Sequence, residues 1–217
     1  MRKIAIFGAS GGTGQLLTAM SLAAGHSVSA LVRVPERFAQ RERVRVIEGT
    51  AFDPEAVAET LAGADLVFSA LGARSWRRED VLERAVPLIV AAMAAGMEKG
   101  GPRRLIALGS AGARPDALDK QPAWRRRLVE RIVYRTFLKW PVADQIAQWK
   151  ALSASRLEWT MVMPPMLTSG PAKGRYRIDG EVLPRHGNRI ARADVAAFMF
   201  AQIDSPAWVR KGVYVTD

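Results

Sequence analysis

The sequence predicts a single α/β domain built on a doubly wound, mostly parallel β-sheet. Short apolar runs alternate with segments of helical periodicity along most of the chain. A glycine-rich stretch separates the first apolar run from the first helical pattern. Such alternation is typical of βαβ units, in which helices cover both faces of a parallel sheet. With 217 residues, the chain is long enough for one large domain with its own core.

The first half of the chain contains four of the expected strands. Apolar runs predict these strands at 4–7, 28–32, 44–47 and 66–69. The helical patterns between them lie at 13–24 and 54–61. Gly25 directly follows the first of these helices and is a typical C-terminal stop.

The second half continues the alternation but contains two irregular regions. Strands are predicted at 105–108, 159–163 and 213–215, and helices at 80–97, 144–155 and 193–203. Glycine, proline and aspartate are frequent at 110–125, and 164–189 has many glycines and prolines with a turn-like Asp179–Gly180 pair. We find no internal repeat, low-complexity tract or linker, so the prediction is one domain over 1–217.

Composition excludes several classes of site. The chain has no cysteine and two histidines, so disulfides, thiolate metal sites and a histidine-rich metal centre are excluded, and we expect no metal. The longest apolar run, 86–97, is too short to cross a bilayer. The apolar stretch at the N-terminus is too short for a signal peptide, so we expect a cytoplasmic protein.

A glycine pattern follows the first predicted strand. Gly8, Gly11 and Gly14 form G-x-x-G-x-x-G at the junction of a strand and a helix. Bare backbone there allows N–H groups to approach a pyrophosphate, and it directs the helix N-terminus at the negative charge. A plain strand–helix turn is the alternative interpretation. The strand–loop–helix context favours a Rossmann-like dinucleotide-binding domain.

Basic residues at the end of the second strand indicate which dinucleotide is bound. Arg33 stands at the strand end and Arg37 follows four residues later, whereas Glu36 comes too late to replace an acid at the strand end. Arginine there suits a 2′-phosphate, and an acid would suit a ribose 2′-hydroxyl. We therefore predict NADPH (NADP) over NADH, the alternative being that both arginines are solvated surface charges.

The chain resembles the NAD(P)H-binding class of atypical short-chain dehydrogenases/reductases, and most closely the flavin reductase/biliverdin reductase B group. The resemblance covers nearly the whole length. It rests on "KIAIFGASGGTG" (3–14), "LVRVPER" (31–37), "SALGAR" (69–74), "LIALGSAG" (105–112), "EWTMVMPPMLTSGPAKGRYRI" (158–178) and "IARADVAAFMF" (190–200).

The resemblance implies roles for individual residues. Those expected at the pyrophosphate are Gly8, Ser10, Gly11, Gly12, Thr13 and Gly14, and those at the 2′-phosphate are Arg33 and Arg37. Residues expected along the rest of the coenzyme are Ala51, Phe52, Leu71, Gly72, Ser110, Pro164, Pro165 and Met166. Arg74 and Met166 are expected near the substrate, with Ser110 as the catalytic candidate. A turn hydrogen bond for Ser110 and core packing for Met166 are the alternatives.

The sequence departs from the family pattern in three places. Members of the family often have an acidic residue after the third strand, where this chain has Thr50 after Gly49. Met166 stands where the biliverdin-reducing enzyme has histidine. Segment 113–141 is longer than in that enzyme and resembles the helical lid of other members. Met166 therefore weakens any inference about tetrapyrrole substrates.

The Tyr-x-x-x-Lys pair of most short-chain dehydrogenases has no counterpart here. Lys150 is the candidate lysine, with a surface charge as the alternative, but Ile146 stands four residues before it. Hydride transfer to a small planar acceptor that needs little enzymatic protonation, a flavin or quinone, remains the leading hypothesis. The alternative is a non-catalytic NADP(H)-binding sensor similar to NmrA-like regulators. We expect Asp144 to cap the helix that it begins.

A basic amphipathic helix is predicted at 124–140. Val129, Val133, Phe137 and Trp140 share an apolar face, with Ile132 beside them, and we expect this face to pack on the domain or on a neighbouring subunit. Segment 103–139 has ten Lys/Arg against three Asp/Glu, which accounts for seven of the net +11 charges. A solvated lid face is favoured, and an anionic substrate, membrane surface or nucleic acid are alternatives. No nucleic-acid motif accompanies the charge, so we expect a small-molecule partner and a monomer or homodimer.

Overall fold

A computed structural model describes residues 1–73, 75, 77–114, 116–129, 131–132 and 138–217. Its strands are β1 (Lys3–Phe7), β2 (Ser27–Val32), β3 (Arg45–Glu48), β4 (Leu66–Ser69), β5 (Arg104–Leu108), β6 (Glu158–Met163), β7 (Met166–Thr168), β8 (Arg177–Asp179), β9 (Arg189–Ala191) and β10 (Lys211–Thr216). The helices are α1 (Gly12–Ala23), α2 (Pro54–Leu61), α3 (Val81–Met97), α4 (Ala123–Leu128), α5 (Lys139–Ser153) and α6 (Arg192–Ala201).

Eight of these strands form one sheet in the order β3-β2-β1-β4-β5-β6-β10-β8. Every neighbouring pair is parallel except β10 with β8, the antiparallel edge strand. A separate parallel pair joins β7 to β9. The predicted mostly parallel, Rossmann-like sheet is confirmed.

Two apolar layers cover the sheet. Val57 of α2, Ile89 of α3 and Leu152 of α5 belong to one buried cluster. Leu17 of α1 and Met199 of α6 belong to the other, on the opposite face. The near-continuous burial of β1 and β4 follows from this double covering, because both faces of a central strand then meet helices. The sheet is therefore doubly wound.

The chain turns to opposite faces after β1 and β4, which are neighbours in the sheet. After β1 the chain continues into α1, and after β4 into α3, which packs on the other face. In an open α/β sheet, such a divergence leaves a crevice beyond the carboxyl ends of the strands. This crevice is where a ligand site is expected.

The predicted irregular region 164–189 contains three short strands that the sequence did not reveal. Each of β7, β8 and β9 has three residues, which is too short for an alternating or continuous apolar pattern to stand out. β8 also carries exposed side chains, because it lies at the sheet edge.

The prediction of one helix over 124–140, with a second beginning at Asp144, is wrong in its boundaries. α4 ends at Leu128, and Leu138 directly precedes α5, so Lys139 and Trp140 belong to α5. Among the residues expected on the buried apolar face, Val129 packs on the core, but Trp140 is exposed, as is Ile132 beside it. Val133 and Phe137 lie outside the described residues.

No helix within the described part of the chain is long and apolar enough to cross a bilayer. The cytoplasmic location stays a prediction.

Candidate functional site

A cavity of about 930 Å³ lies at the carboxyl ends of the parallel strands. The residues that follow β1 to β6 all contribute to its wall, so the chain returns to it after each strand. These segments supply Gly8 and Ser10, Arg33, Gly49 to Phe52, Ala70 to Ala73, Gly109 to Gly112, and Pro165 to Leu167. The cavity therefore occupies the crevice between the diverging helices.

Gly8 begins the loop between β1 and α1. Its φ of +78° is a left-handed conformation that favours glycine. A β-carbon at this position would lie 2.6 Å from the Ala70 carbonyl oxygen, so the loop presses directly on the backbone after β4. The Gly8 carbonyl accepts a hydrogen bond from Gly11 N at 3.0 Å, which closes the turn.

The start of α1 opens into the cavity. Gly11 precedes the helix and provides no capping side chain, while Gly12 and Thr13 line the cavity wall. First-turn N–H groups without a side-chain cap suit an anion. Gly14 does not line the cavity; a β-carbon there would lie 2.1 Å from the Gly8 carbonyl oxygen. Gly14 thus permits α1 to approach the loop closely.

Arg192 reaches the glycine loop from the first residue of α6. A β-carbon at Gly12 would lie 2.9 Å from Arg192 Cδ, so the arginine side chain crosses directly against the loop. Arg192 Nη1 donates to Ser169 Oγ at 3.2 Å, and the residue lines the cavity. The "IARADVAAFMF" segment predicts no role for Arg192, because nothing local in the sequence links it to residue 12.

The two basic residues after β2 have different positions. Arg33 lines the cavity, whereas Arg37 ends a short 3₁₀ helix (Pro35–Arg37) and does not line it. Phe38 is buried directly after Arg37 and anchors this segment to the domain. Of the two arginines predicted to contact a 2′-phosphate, Arg33 is therefore the one that lines the cavity.

Phe52 forms part of the wall beyond β3, together with Thr50 and Ala51. The Arg84 guanidinium lies 4.3 Å from the centre of the Phe52 ring. Phe52 N donates to Thr50 Oγ1 at 3.3 Å, and this turn leads into α2. An apolar and aromatic surface at this position is suited to a flat base.

Ser110 lies on the wall directly after β5. Its Oγ accepts a hydrogen bond from Gly112 N at 3.4 Å, at the start of a short 3₁₀ helix (Ala111–Ala113). The hydroxyl therefore accepts a turn hydrogen bond, which is the alternative role predicted for Ser110. Ser110 also lines the cavity. Its hydrogen atom remains free to rotate toward a ligand oxygen.

Only some of the residues that follow β6 line the cavity. Pro165 and Met166 line the cavity, whereas Pro164 is buried and accepts a hydrogen bond from Ala111 N at 2.9 Å. Met166 is 62% exposed, so the alternative role in core packing does not hold for it. Leu71 and Gly72 line the wall opposite, and Arg74 lies outside the described residues.

The far part of the cavity is an apolar chamber that the sequence did not predict. Its wall combines distant parts of the chain, namely Leu118, Val129, Leu138, Pro141, Val142 and Leu183. Polar side chains at its border include those of Gln145 and Glu79. No single segment contains enough of these residues to reveal the chamber.

Asp144 is buried at the edge of this chamber, inside α5. Its carboxylate accepts hydrogen bonds from Leu82 N at 2.9 and 3.0 Å and from Glu83 N at 2.8 Å. Asp144 therefore caps α3, and the prediction that it caps its own helix is wrong. Asp80, which precedes α3, makes no side-chain cap because its carboxylate pairs with Arg78 at 2.9 Å.

The candidate lysine and the tyrosines within the described residues lie away from the cavity. Lys150 is exposed on α5 and does not line the wall. Tyr214 is fully buried in β10, and the Tyr176 ring packs edge-on against Phe198. Tyr134 lies outside the described residues. Across that same part of the chain, no group of three or more acidic or histidine side chains is placed to hold a metal ion.

Comparison with known proteins identifies the family. A sequence model described as NAD(P)H-binding matches residues 8–206. This chain belongs to the NAD(P)H-binding family. The match includes the glycine loop, Arg33 and Arg192, and it agrees with the resemblance seen in the sequence.

Solved structures similar to this NAD(P)H-binding family member share its fold over nearly the whole length. ChuY, an anaerobilin reductase from Escherichia coli O157:H7, is 24% identical with a TM-score of 0.77, covering 99% of this chain and 96% of its own. A short-chain dehydrogenase/reductase from Veillonella parvula in complex with NADP is 23% identical with a TM-score of 0.80, covering 100% and 94%. A candidate NADH-flavin reductase from Streptococcus pneumoniae is 21% identical with a TM-score of 0.74, covering 100% of both chains.

Proposed function

We propose that this protein is an NADPH-dependent reductase that delivers hydride to a small planar acceptor of the flavin or quinone type. The observation that carries the proposal is the continuity of the cavity. The glycine loop, the start of α1 and Arg33 line the same cavity as Leu118 and Val142 of the apolar chamber. A dinucleotide and a flat acceptor would fit end to end in such a cavity.

The glycine loop would hold the pyrophosphate. Gly11 and Gly12 line the cavity without side chains that could block the approach, and the first turn of α1 offers N–H donors to a doubly charged group. Arg192 lies against the same loop and would add a positive charge from the side of α6. The bare glycine loop beside the uncapped start of α1 is the structural feature that fits the coenzyme.

Arg33 would contact a 2′-phosphate on the adenosine ribose of the coenzyme. It stands directly after β2 and is exposed to the cavity, where an acid would instead favour a free ribose hydroxyl. Arginine presents several donors in a planar fork that suits phosphate oxygens. This position supports a preference for NADPH over NADH.

The nicotinamide would lie near Ser110, between Leu71 and Pro165. When bound, NADPH supplies the hydride, and a flavin or quinone acceptor then takes its proton from water. Ser110 Oγ would orient a carbonyl or carboxamide oxygen by donating its free hydrogen. The apolar chamber would exclude water from the reacting faces and hold the acceptor parallel to the ring.

The test is to follow the loss of NADPH absorbance with FMN, FAD and simple quinones. We expect oxidation with at least one acceptor, and loss of that oxidation in Gly11→Leu, whose side chain would fill the space above the loop. Gly170→Leu is the matched control, because a β-carbon at Gly170 meets open space. Tight NADPH binding with no oxidation of any acceptor would contradict the reductase proposal.

That contrary outcome would favour the second candidate, an NADP(H)-binding sensor. The observation behind it is that Lys150 is exposed and does not line the cavity, which leaves the cavity without the lysine of the usual Tyr-x-x-x-Lys pair. A sensor would change its conformation or its protein contacts on coenzyme binding without consuming the coenzyme.

A further inference from the structure

Large apolar side chains are exposed on α4 and four residues beyond its end. Trp124 is 70% exposed, Leu128 is 45% exposed and Ile132 is 49% exposed, at intervals of four residues. These three residues form the outer apolar strip. Elsewhere in the described chain, large apolar side chains that are this exposed occur singly, as at Val34 and Ile178. A cluster of this kind marks a contact with another surface.

Arginines flank the outer apolar strip. Arg127 and Arg131 are exposed between its members, and Arg126 is paired with Asp119 at 3.4 Å. The segment 103–139 also accounts for seven of the net positive charges. Exposed Trp, Leu and Ile interleaved with arginine are the composition of helices that lie in a membrane interface.

The start of α5 repeats this combination. Trp140 is 38% exposed, and its ring contacts two cations, with Lys139 Nζ at 4.7 Å and Arg78 Cζ at 5.2 Å from the ring centre. Tryptophan is favoured at the headgroup level of a bilayer, because its ring is mostly apolar and its indole N–H is polar.

We propose that the outer apolar strip and the arginines beside it dock this protein on anionic membrane surfaces. The outer apolar strip enters the headgroup region, and Arg127 and Arg131 contact lipid phosphates. The positive charge of the arginines and the apolar side chains of the strip together favour an anionic membrane as the partner. A nucleic acid would attract the arginines but leave Leu128 and Ile132 in water, and a second copy of the chain would bring like charges together.

The same segment forms the wall of the apolar chamber on its inner side. Val129 directly follows Leu128 and lines the cavity, as do Leu138 and Pro141. Docking would therefore place lipid next to the chamber, the part of the cavity that suits an apolar acceptor. Membrane docking itself requires neither coenzyme nor acceptor, so its test is independent of the proposed reductase activity.

The experiment is flotation of the full chain, without coenzyme, on vesicles of phosphatidylcholine alone or mixed with phosphatidylglycerol. We expect binding to the mixed vesicles about tenfold tighter or more than to neutral ones, because each basic residue near the surface contributes about fivefold. The double variant Arg127→Glu/Arg131→Glu should lose this gain. Trp124→Ser/Leu128→Ser should bind weakly and be released by salt.

Two controls separate a local contact from a general charge effect. Arg43→Glu/Arg156→Glu changes the net charge equally at exposed positions elsewhere, and it should bind like the wild type. Brominated lipid in the mixed vesicles should quench wild-type tryptophan fluorescence, and Trp124→Phe should reduce that quenching while still binding. Circular dichroism checks that each variant is folded.

Three results would overturn the proposal. The first is an absence of binding to mixed vesicles at low salt. The second is equal weakening by the control and test arginine pairs. The third is burial of Trp124 in a dimer or a complex with DNA while the vesicles stay unbound.

Discussion

Arg33 and Arg192 are far apart in the sequence but line the same cavity. Among the described lining residues, they are the ones with cationic side chains. Arg33 follows β2 at the end where a 2′-phosphate would lie, and Arg192 lies against Gly12 at the glycine loop. NADPH and NADH share the pyrophosphate but differ at the 2′-position, so the two arginines should have separable effects.

We predict that Arg33→Ala weakens NADPH binding by about 10- to 100-fold and leaves NADH binding unchanged, since a hydrogen bond to a charged group contributes about 1.5–3 kcal/mol. Arg192→Ala should weaken both coenzymes by a similar factor. Isothermal titration of the two coenzymes into each variant measures these effects. Arg37→Ala is the matched control and should change neither affinity, because Arg37 does not line the cavity. Equal loss of both coenzymes in Arg33→Ala would contradict the 2′-phosphate role.

The sequence could reveal the glycine loop but not its cationic neighbour. Gly8, Gly11 and Gly14 follow one another at fixed spacing, so the pattern is visible locally. Arg192 comes to Gly12 only because α1 and α6 cover the same face of the sheet. The exposure of Met166 is likewise not visible in the sequence, because Met166 lies in the β7–β9 pair, which no local pattern shows.

At the scale of elements, α3 and α5 are joined through one side chain. Asp144 in α5 satisfies the Leu82 and Glu83 N–H groups at the start of α3, and it is 5% exposed. Both helices border the apolar chamber, through Val81 in α3 and Pro141 in α5. The carboxylate therefore fixes the distance between two sides of the chamber.

We predict that Asp144→Ala lowers the free energy of unfolding by about 1–3 kcal/mol, because two N–H groups lose a buried acceptor. Asp144→Asn should cost less, since its amide oxygen can still accept, although the favourable charge at the helix N-terminus is lost. Urea denaturation measures both. Asp53→Ala provides a comparison, because Asp53 caps α2 through Glu55 N at an exposed position. Unchanged stability in Asp144→Ala would show that the cap is dispensable.

Elements with continuous apolar runs could be predicted from sequence, and those defined by distant contacts could not. The buried strands β1, β2 and β4 to β6 lie where the apolar runs placed them, because each is covered on both faces. The start of α5 was missed, because Trp140 was assigned to a buried stripe and is exposed instead. Asp144 resembles a local cap, and only the tertiary fold brings it to α3.

At the scale of the whole molecule, the cavity draws on both layers of helices. The α1 layer contributes Gly12 and Arg192, and the opposite layer contributes Val81 and Gln145. A ligand that occupies the cavity therefore contacts both layers at once. Such a ligand should stabilise the domain as a unit, since it binds the folded chain and not the unfolded one.

We predict that NADPH at one hundred times its dissociation constant raises the melting temperature by about 5–10 °C, which corresponds to about 2.7 kcal/mol in a domain of this size. Differential scanning calorimetry measures the shift. Arg33→Ala at the same NADPH concentration should show a smaller increase. If NADPH leaves the melting temperature of the wild-type protein unchanged, the cavity is not its binding site.

The cap that Asp144 places on α3 also has a consequence for biosynthesis. Asp144 is 62 residues further along the chain than Leu82, and its carboxylate accepts the hydrogen bond that the Leu82 N–H donates. During translation, the first turn of α3 therefore leaves the ribosome without its partner. It can become fully ordered only after the nascent chain has been extended through the whole of β5 and into α5.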